Sequence, residues 1–279
     1  MKTHHCRSGG LAPQLSWSKG FPMILFASDL DNTLIHSYKK AAENDICVET
    51  MQTDTGIKKL SYMTPKGYQL FKNIYSSKSV AFVPITTRSL SQYRRIHLFD
   101  EAVPKYALTA NGGILLVDGK QDNEWYAQSE QLIKPALSEL AKGAELLGQD
   151  KSRIFEVRLV DGMFIFTKSD NPEETCRLLR EKLDMGLVSV HTNGNKVYIL
   201  PIQLNKSTAV KRLAEKYKFS SIICAGDSEF DIPMLREADI SFVPHEKLID
   251  SCKGEINVYT DTDVSFAEYF LSKMIMNLH

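Results

Sequence analysis

Short apolar runs separated by amphipathic segments occur before residue 120 and again after residue 200. The apolar runs predict strands at Met23 to Ala27, Val80 to Ile85, Tyr106 to Thr109, Ile114 to Val117, Ile222 to Ala225, Ile240 to Phe242 and Ile256 to Val258. The segments between them predict helices at Pro65 to Ser76, Ser91 to Phe99, Lys206 to Tyr217 and Ile232 to Ala238, with a last helix from Ser265. Strands alternating with helices are typical of an α/β fold with a parallel sheet and right-handed crossovers. Pro84 argues against a regular central strand in the second run, because it has no N–H to donate.

The pattern differs between residues 121 and 199. Two helices are predicted there, at Ser129 to Leu147 and Asn171 to Leu183. Each is followed by a predicted hairpin: Arg153 to Val160 with Met163 to Thr167, then Leu187 to His191 with Lys196 to Leu200. We therefore predict that an α+β domain of two helix-plus-hairpin units, residues 121–199, is inserted into a discontinuous α/β core formed by residues 23–120 and 200–279.

Two further segments fall outside this alternation. Ile46 to Glu49 and Lys58 to Tyr62 flank a polar turn and predict a small β-hairpin, or flap, above the end of the first strand. Residues 1–22 have neither the apolar core of a signal peptide nor helical periodicity. We expect Met23 to be the natural start and residues 1–22 to be a disordered extension or an expression remnant, which mass spectrometry of the native protein would test.

Composition narrows the class of protein. The 279 residues are 43% hydrophobic, and 34 basic residues balance 34 acidic ones, so no attraction to nucleic acid or to an anionic membrane is expected. The five cysteines are scattered without a CxxC pair, which argues against disulfides and zinc and favours a reducing cytoplasm. No apolar stretch approaches the roughly 18 residues of a membrane span, and no feature indicates a protein partner.

Carboxylates follow two of the predicted strands. Asp29 and Asp31 come directly after the first apolar run, and Asp227 and Asp231 come after Ile222 to Ala225. Carboxylates this close repel one another, so burying them together is costly unless a cation or a proton intervenes. Open α/β sheets bind ligands beyond the carboxyl ends of their strands, and several carboxylates there suit Mg²⁺. The spacing predicts a magnesium-dependent active site.

Each of these signals has an ordinary structural explanation when it is taken alone. A pair of aspartates after a strand is often a surface turn, and Thr86 after a strand is often a helix N-cap. Lys206 at a helix start opposes the helix dipole, yet a solvated lysine is the default interpretation. Asp227 and Asp231 could simply cap a helix. The order and spacing of the whole set, each member at a strand end or a helix start, favour function.

That ordered set resembles the haloacid dehalogenase-like superfamily of phosphohydrolases. The four motifs correspond to Asp29-Leu30-Asp31-Asn32-Thr33-Leu34, Thr86, Lys206 and Gly226-Asp227-Ser228-Glu229-Phe230-Asp231. The position of the insert resembles the Cof-type and sucrose-phosphate-phosphatase-like branch, which implies a Rossmann-like core with an α/β cap. Departures from the common pattern are Thr87 and Ser207, where glycine is usual, and Phe242-Val243-Pro244-His245 after the fourth motif.

The resemblance implies roles for the carboxylates. Asp29 would attack phosphorus and form an aspartyl-phosphate. Asp31 would act first as general acid to the leaving alcohol and then as general base to water. Mg²⁺ would be bound by the carboxylates of Asp29 and Asp227 and the backbone carbonyl of Asp31, with Asp231 acting through water or by supporting Asp227.

The resemblance also implies which residues contact the substrate. Thr86 and Lys206 would bind the phosphoryl oxygens. Arg88 and Asn111, near strand ends, are candidates for the rest of the substrate, although an asparagine before Gly-Gly also suits a turn. The hairpins of the insert offer further candidates, for which one solvated sheet face is an equally good explanation. These are Arg153, Glu156, Arg158 and Lys168.

Three functions are compatible with this pattern. The first is a magnesium-dependent phosphatase that acts on a small phosphorylated metabolite, with sugar phosphates as the leading class. The second is a phosphomutase of the phosphomannomutase type, in which the aspartyl-phosphate is returned to a sugar. The third is a catalytically silent binding protein that uses the fold as a scaffold. Release of free phosphate, rather than an isomer or nothing, separates them.

Overall fold

The computed structural model describes residues 23–251, 254–261 and 263–276, with the side chains of 249–251 left aside, so the predicted extension 1–22 lies outside the described residues. The strands are Ile24–Ser28 (β1), His36–Ser37 (β2), Ile46–Thr53 (β3), Gly56–Met63 (β4), Val80–Pro84 (β5), Tyr106–Thr109 (β6), Ile114–Val117 (β7), Lys120–Gln121 (β8), Arg158–Val160 (β9), Phe164–Lys168 (β10), Val188–Asn193 (β11), Lys196–Pro201 (β12), Ser221–Ala225 (β13), Ile240–Val243 (β14) and Glu255–Val258 (β15). The α-helices are Pro65–Tyr75 (α1), Leu90–Tyr93 (α2), Asn123–Ile133 (α3), Leu137–Gln149 (α4), Pro172–Lys182 (α5), Lys206–Tyr217 (α6), Ile232–Leu235 (α7) and Phe266–Met276 (α8). No helix among these residues is both long and apolar enough to cross a membrane.

A five-stranded parallel sheet forms the centre of the core, in the order β15-β14-β13-β1-β5. Alternate residues of β1 point to opposite faces. Phe26 packs with α1 and α8 on one face, and Leu25 and Ala27 pack with α6 and α7 on the other. Because both faces are covered, the strands are continuous apolar runs, as parallel sheets require. The predicted α/β class is confirmed.

The strands at Tyr106 to Thr109 and Ile114 to Val117 do not continue the parallel sheet, as their place in the strand–helix alternation had suggested. β6 and β7 pair antiparallel and form a three-stranded sheet with β8, which adjoins β5 through a bridge between Ile85 and Leu108. Parallel neighbours need a long crossover, and only a short turn separates these two strands. That turn uses positive φ angles at Ala110, Asn111 and Gly112 (50°, 59° and 90°).

The inserted domain, called the cap below, contains a four-stranded antiparallel sheet in the order β11-β12-β10-β9, so the two predicted hairpins join into one sheet. Helices α4 and α5 cover one face of it. The helix predicted from Ser129 to Leu147 is instead two helices, α3 and α4, separated by a 3-10 turn at Lys134–Ala136. Pro135 explains the break, because it lacks an N–H and clashes with the preceding helical turn.

Three further predicted elements are shorter than expected, and one is the helix predicted from Ile232 to Ala238, of which only α7 is helical. Of the strand predicted from Arg153 to Val160, only β9 forms a continuous strand, and Arg153 makes an isolated antiparallel bridge with Ser169. Of the helix predicted from Ser91 to Phe99, only α2 is α-helical, followed by a 3-10 turn at His97–Phe99. Ile96 between them is buried and extended (φ −84°, ψ 93°), which ends the helix.

The predicted flap is present and longer than expected. β3 and β4 form an antiparallel hairpin of eight-residue strands, and β2 adds a third strand. The turn depends on Gly56, whose φ of 125° disfavours other residues. β3 carries register irregularities on both sides of Glu49. Such bulges redirect side chains, and Glu49 is buried rather than solvent-facing.

Candidate active site

Asp29 lies at the carboxyl end of β1 and is held by its own backbone and by a lysine. Its N–H donates to the carbonyl of Ala225 at 2.9 Å. Lys206 Nζ, at the start of α6, donates to Asp29 Oδ1 at 2.5 Å and to Asp231 Oδ1 at 2.6 Å. The lysine is 1% exposed, and Asp29 and Asp231 are also buried. The structure thus brings three predicted residues from three motifs into one buried ion triad.

The charged groups of this triad shift one another's pKa values. Burial raises the pKa of Asp29 well above its ordinary value, and the nearby carboxylates of Asp231 and Asp227 add to that rise, although Lys206 opposes it. Burial would lower the pKa of Lys206, but the two carboxylates more than compensate and raise it. The lysine therefore stays charged, and the cluster contains more carboxyl groups than cations.

The fourth motif wraps around Asp231. Its Oδ2 accepts hydrogen bonds from the backbone N–H groups of Asp227 and Ser228, each at 3.0 Å, and from the Ser228 hydroxyl at 2.9 Å. Gly226 is required for this close approach, since a Cβ there would lie 2.4 Å from the Asp231 Cβ. With Lys206 on Oδ1, the carboxylate accepts four hydrogen bonds, about as many as it has lone pairs.

Three carboxylates form a candidate metal site. Oxygens of Asp29, Asp227 and Asp231 lie within 4.8 Å of one another. Burial and the neighbouring Asp231 raise the pKa of Asp227 to about 6, although Thr33 donates a hydrogen bond to it at 3.1 Å. Asp29 Oδ2 has no hydrogen-bond partner within the described part of the chain. These carboxylate oxygens are the donors that a hard divalent cation such as Mg²⁺ prefers, and a bound cation would favour their ionised form.

Asp31 is held by an arginine from the loop after β5. Arg88 donates through Nε and Nη2 to the two carboxylate oxygens of Asp31, at 2.8 and 2.7 Å. Burial opposes ionisation of Asp31, but this two-pronged contact prevails and holds its pKa below the ordinary value. The predicted candidate Arg88 is therefore placed against the predicted acid/base residue.

Behind Arg88 lies a buried glutamate that sequence reasoning missed. Glu49 of β3 is 1% exposed. Its carboxylate lies 3.0 Å from Arg88 Nη1 and 3.2 Å from Arg95 Nη2, and it accepts a hydrogen bond from the Ser61 hydroxyl at 2.6 Å. No local signal marks it, because these partners are 12 to 46 residues away in the sequence. Through Glu49 the flap is coupled to Asp31.

Thr86 and Asn111 shape the loops around the site. Thr86 is 1% exposed, and its hydroxyl accepts from the N–H of Arg88 at 3.1 Å. Asn111 is also buried; its N–H donates to the Thr86 carbonyl at 2.9 Å and its side-chain amide to the Leu204 carbonyl at 2.9 Å. Asn111 thereby links the β5 loop to the segment that leads into Lys206, a positioning contact within the protein.

The cap contributes side chains that the sequence did not single out. Tyr198 of β12 lies close to Thr87, and burial together with the nearby carboxylates of Asp31 and Asp29 raises its pKa. Phe230, from the fourth motif, lies 5.1 Å, centroid to centroid, from the rings of both Tyr198 and His191. These three rings form an aromatic contact between cap and core.

Comparison with known families agrees with this geometry. A family model for haloacid dehalogenase-like hydrolases matches residues 120–245, a little under half of the chain. The match spans the cap and includes Lys206, Asp227 and Asp231. No curated protein is significantly similar in sequence. The family match confirms the predicted resemblance and supports the predicted hydrolase class.

Solved structures share the fold across nearly the whole chain. A sucrose-phosphatase from Synechocystis, solved with sucrose and phosphate, has a TM-score of 0.61 at 15% identity, covering 92% of this chain and 98% of its own. A Thermoplasma acidophilum protein has a TM-score of 0.59 at 15% identity, with the same coverages of 92% and 98%. A Plasmodium vivax protein described as HAD/COF-like has a TM-score of 0.57 at 17% identity, covering 94% and 98%. At such identities these likenesses show the fold, and they confirm the Rossmann-like core with an inserted cap.

Proposed function

We propose that this chain, which matches the haloacid dehalogenase-like hydrolases in family model and fold, is a magnesium-dependent phosphatase of small phosphorylated metabolites. The observation that carries the proposal is the buried lysine between two aspartates: Lys206 contacts Asp29 and Asp231 while Asp227 stands beside them. A fold gains little stability from so many buried charges. The buried charges have a function if they bind a phosphoryl group and a cation.

Asp29 is the nucleophile in this proposal. Its Oδ1 is held by Lys206, which leaves Oδ2 free to attack phosphorus. A bond forms between Oδ2 and phosphorus as the bond from phosphorus to the leaving oxygen breaks, which yields an aspartyl-phosphate. Lys206 and the hydroxyl of Thr86 stabilise the phosphoryl oxygens as charge develops on them.

Asp31 transfers the protons. In the first step it protonates the leaving oxygen, and in the second it takes a proton from the water that attacks the phosphoenzyme, releasing inorganic phosphate and restoring Asp29. The pairing with Arg88 favours the ionised form of Asp31, which is the form a base needs. For the acid step Arg88 must loosen its hold on Asp31 as the substrate binds.

Asp29, Asp227 and the Asp31 carbonyl would hold Mg²⁺, which offsets the repulsion between the phosphate and the carboxylates. Asp231 has its carboxylate oxygens occupied by Lys206 and by the loop that carries Asp227. We therefore assign Asp231 the supporting role among the two that the sequence left open.

Sugar phosphates are the first substrates to test, since the sucrose-phosphatase that shares this fold was solved with sucrose and phosphate. The experiment measures phosphate release from a panel of phosphorylated sugars, polyols and nucleotides and from p-nitrophenyl phosphate, with and without Mg²⁺. Asp29→Asn should abolish a Mg²⁺-dependent release. Asp54→Asn is the matched control: it removes an exposed aspartate in the flap turn and should leave phosphate release unchanged.

The same experiment tests the alternatives. Conversion of a sugar phosphate to its isomer without free phosphate would replace the proposal with a phosphomutase. A folded protein that binds Mg²⁺ and acts on nothing in the panel, and whose Asp29→Asn and Asp227→Asn variants lose the metal, would point to a binding role.

A further inference from the structure

The cap sheet turns one face towards the catalytic core. Along β10 and β12, the side chains of Ile165, Val197 and Ile199 pack beneath α4 and α5. Because side chains alternate along a strand, the intervening residues lie on the opposite face. These are Phe164, Phe166, Lys168, Lys196, Tyr198 and Leu200. Phe164, Tyr198 and Leu200 pack in the cluster that also contains Phe26 of β1, so this face is directed at the core.

Two lysines stand directly opposite each other on that face. Lys168 and Lys196 are paired residues in the antiparallel register of β10 and β12. Like charges in directly opposed positions destabilise a sheet. Within the described part of the chain neither lysine forms a salt bridge, although Lys168 Nζ lies 5.2 Å from the centre of the Phe155 ring. Both are half-buried. Arg158 on the same face differs, since it is paired with Glu156.

One member of the pair, Lys196, is near enough to the site for its charge to act on Asp31. Lys196 is two residues, roughly 7 Å along the strand, from Tyr198, which lies close to Thr87, the neighbour of the proposed phosphate-binding residue Thr86. The positive charge of Lys196 also contributes to lowering the pKa of Asp31. Asp31 does not need it as a counter-charge, since Arg88 already holds both carboxylate oxygens. The ring of Phe166, 5.2 Å from that of Tyr198, lies on the same face and offers an apolar surface.

We propose that Lys168 and Lys196 bind a second anionic group on the leaving part of the substrate. The substrate class is then a phosphomonoester that also carries a carboxylate or another phosphate, such as a phosphorylated sugar acid or a sugar bisphosphate. The inference rests on the proposed phosphatase function, which supplies the first phosphoryl site. It explains why like charges are opposed in the sheet, because a bound anion between them converts repulsion into attraction.

Matched ligands test this directly. 6-Phosphogluconate and sorbitol 6-phosphate share a six-carbon chain and differ only at C1, which is a carboxylate in the first and a hydroxymethyl group in the second. Fructose 1,6-bisphosphate and fructose 6-phosphate differ in the second phosphate, so the two pairs separate the two kinds of anion. We expect the charged member of at least one pair to have a kcat/KM higher by roughly ten- to a hundredfold, as for hydrogen bonds to charged groups. In Lys168→Gln and Lys196→Gln the ratio of kcat/KM for the charged ligand to kcat/KM for the neutral ligand should fall towards one. Lys134→Gln, which removes an exposed lysine at the break between α3 and α4, is the control and should keep it.

Calorimetry on Asp29→Asn with Mg²⁺ separates this inference from the phosphatase proposal. Tighter binding of the charged member, weakened by the lysine substitutions, would support the anion site even if the protein hydrolysed nothing. Equal affinity for both members of each pair would overturn the site even if hydrolysis were efficient. So would equal losses for charged and neutral ligands in the lysine variants, because the lysines would then act on Asp31 rather than on the substrate.

Discussion

The core side and the cap side of the site pair their charges differently. On the core side each cation has carboxylate partners within the protein: Lys206 contacts Asp29 and Asp231, and Arg88 contacts Asp31 and Glu49. On the cap side, Lys168 and Lys196 face each other with no salt bridge among the described residues. The core groups are thus preorganised before a ligand arrives, as catalysis by fixed charges requires. The cap groups are complete only when a ligand supplies the missing charge.

Removing the lysine of the core triad should have the largest effect. Lys206→Met would leave Asp29 and Asp231 buried without their cation, and breaking a buried pair from one side costs about 3 to 5 kcal/mol of the free energy of unfolding. Urea denaturation measures this, and phosphate release should vanish with it. Lys211→Met, on the same helix but half-exposed in a pair with Glu237, should cost under about 1 kcal/mol. Equal stabilities of the two variants would mean that the core charges are not preorganised as described.

The arginine that holds Asp31 should come next. Arg88→Lys keeps the charge but cannot form the two-pronged contact, so Asp31 loses its orientation and kcat should fall by about a hundredfold, within the usual contribution of general acid–base catalysis. The loss should be smaller with p-nitrophenyl phosphate, because its leaving group needs little protonation. Arg94→Lys, on the exposed side of the same segment, is the control. If Arg88→Lys lowered kcat equally for p-nitrophenyl phosphate and for a sugar phosphate, Arg88 would be assigned to phosphate binding instead.

The sequence predicted most of the core side of the site and little of the cap side. Asp29, Thr86, Lys206, Asp227 and Asp231 lie at strand ends or helix starts, where local pattern and parallel topology suffice to expect their convergence. Glu49, Lys196 and Tyr198 could not be found in this way. Each lies within a strand, and its meaning comes from a partner on another element: Arg88 for Glu49, Lys168 for Lys196, Thr87 for Tyr198.

Local pattern also failed where tertiary packing or a single residue decides the element. The apolar run at Ile114 to Val117 resembled its parallel neighbours, and only the left-handed turn at Ala110 to Gly112 sends it back antiparallel. The apolar periodicity from Ser129 to Leu147 masked the effect of Pro135, which divides that segment into two helices.

The smallest expected effect lies where the two sides meet, at the Phe230 ring. It belongs to the core motif but contacts His191 and Tyr198 of the cap, each at 5.1 Å. Aromatic pairs of this kind contribute about 0.5 to 1.5 kcal/mol each. Phe230→Ala should therefore raise KM severalfold, because the cap is held less firmly over the site, while kcat falls less, because Asp29, Asp31 and Lys206 keep their contacts. Phe230→Leu, which keeps an apolar contact, should lie between the variant and the wild type in steady-state kinetics. A large loss of kcat with an unchanged KM would show instead that Phe230 sets the geometry of Asp227 and Asp231. In that case the contact between cap and core would belong to the preorganised catalytic groups, and the difference drawn between the two sides would not hold there.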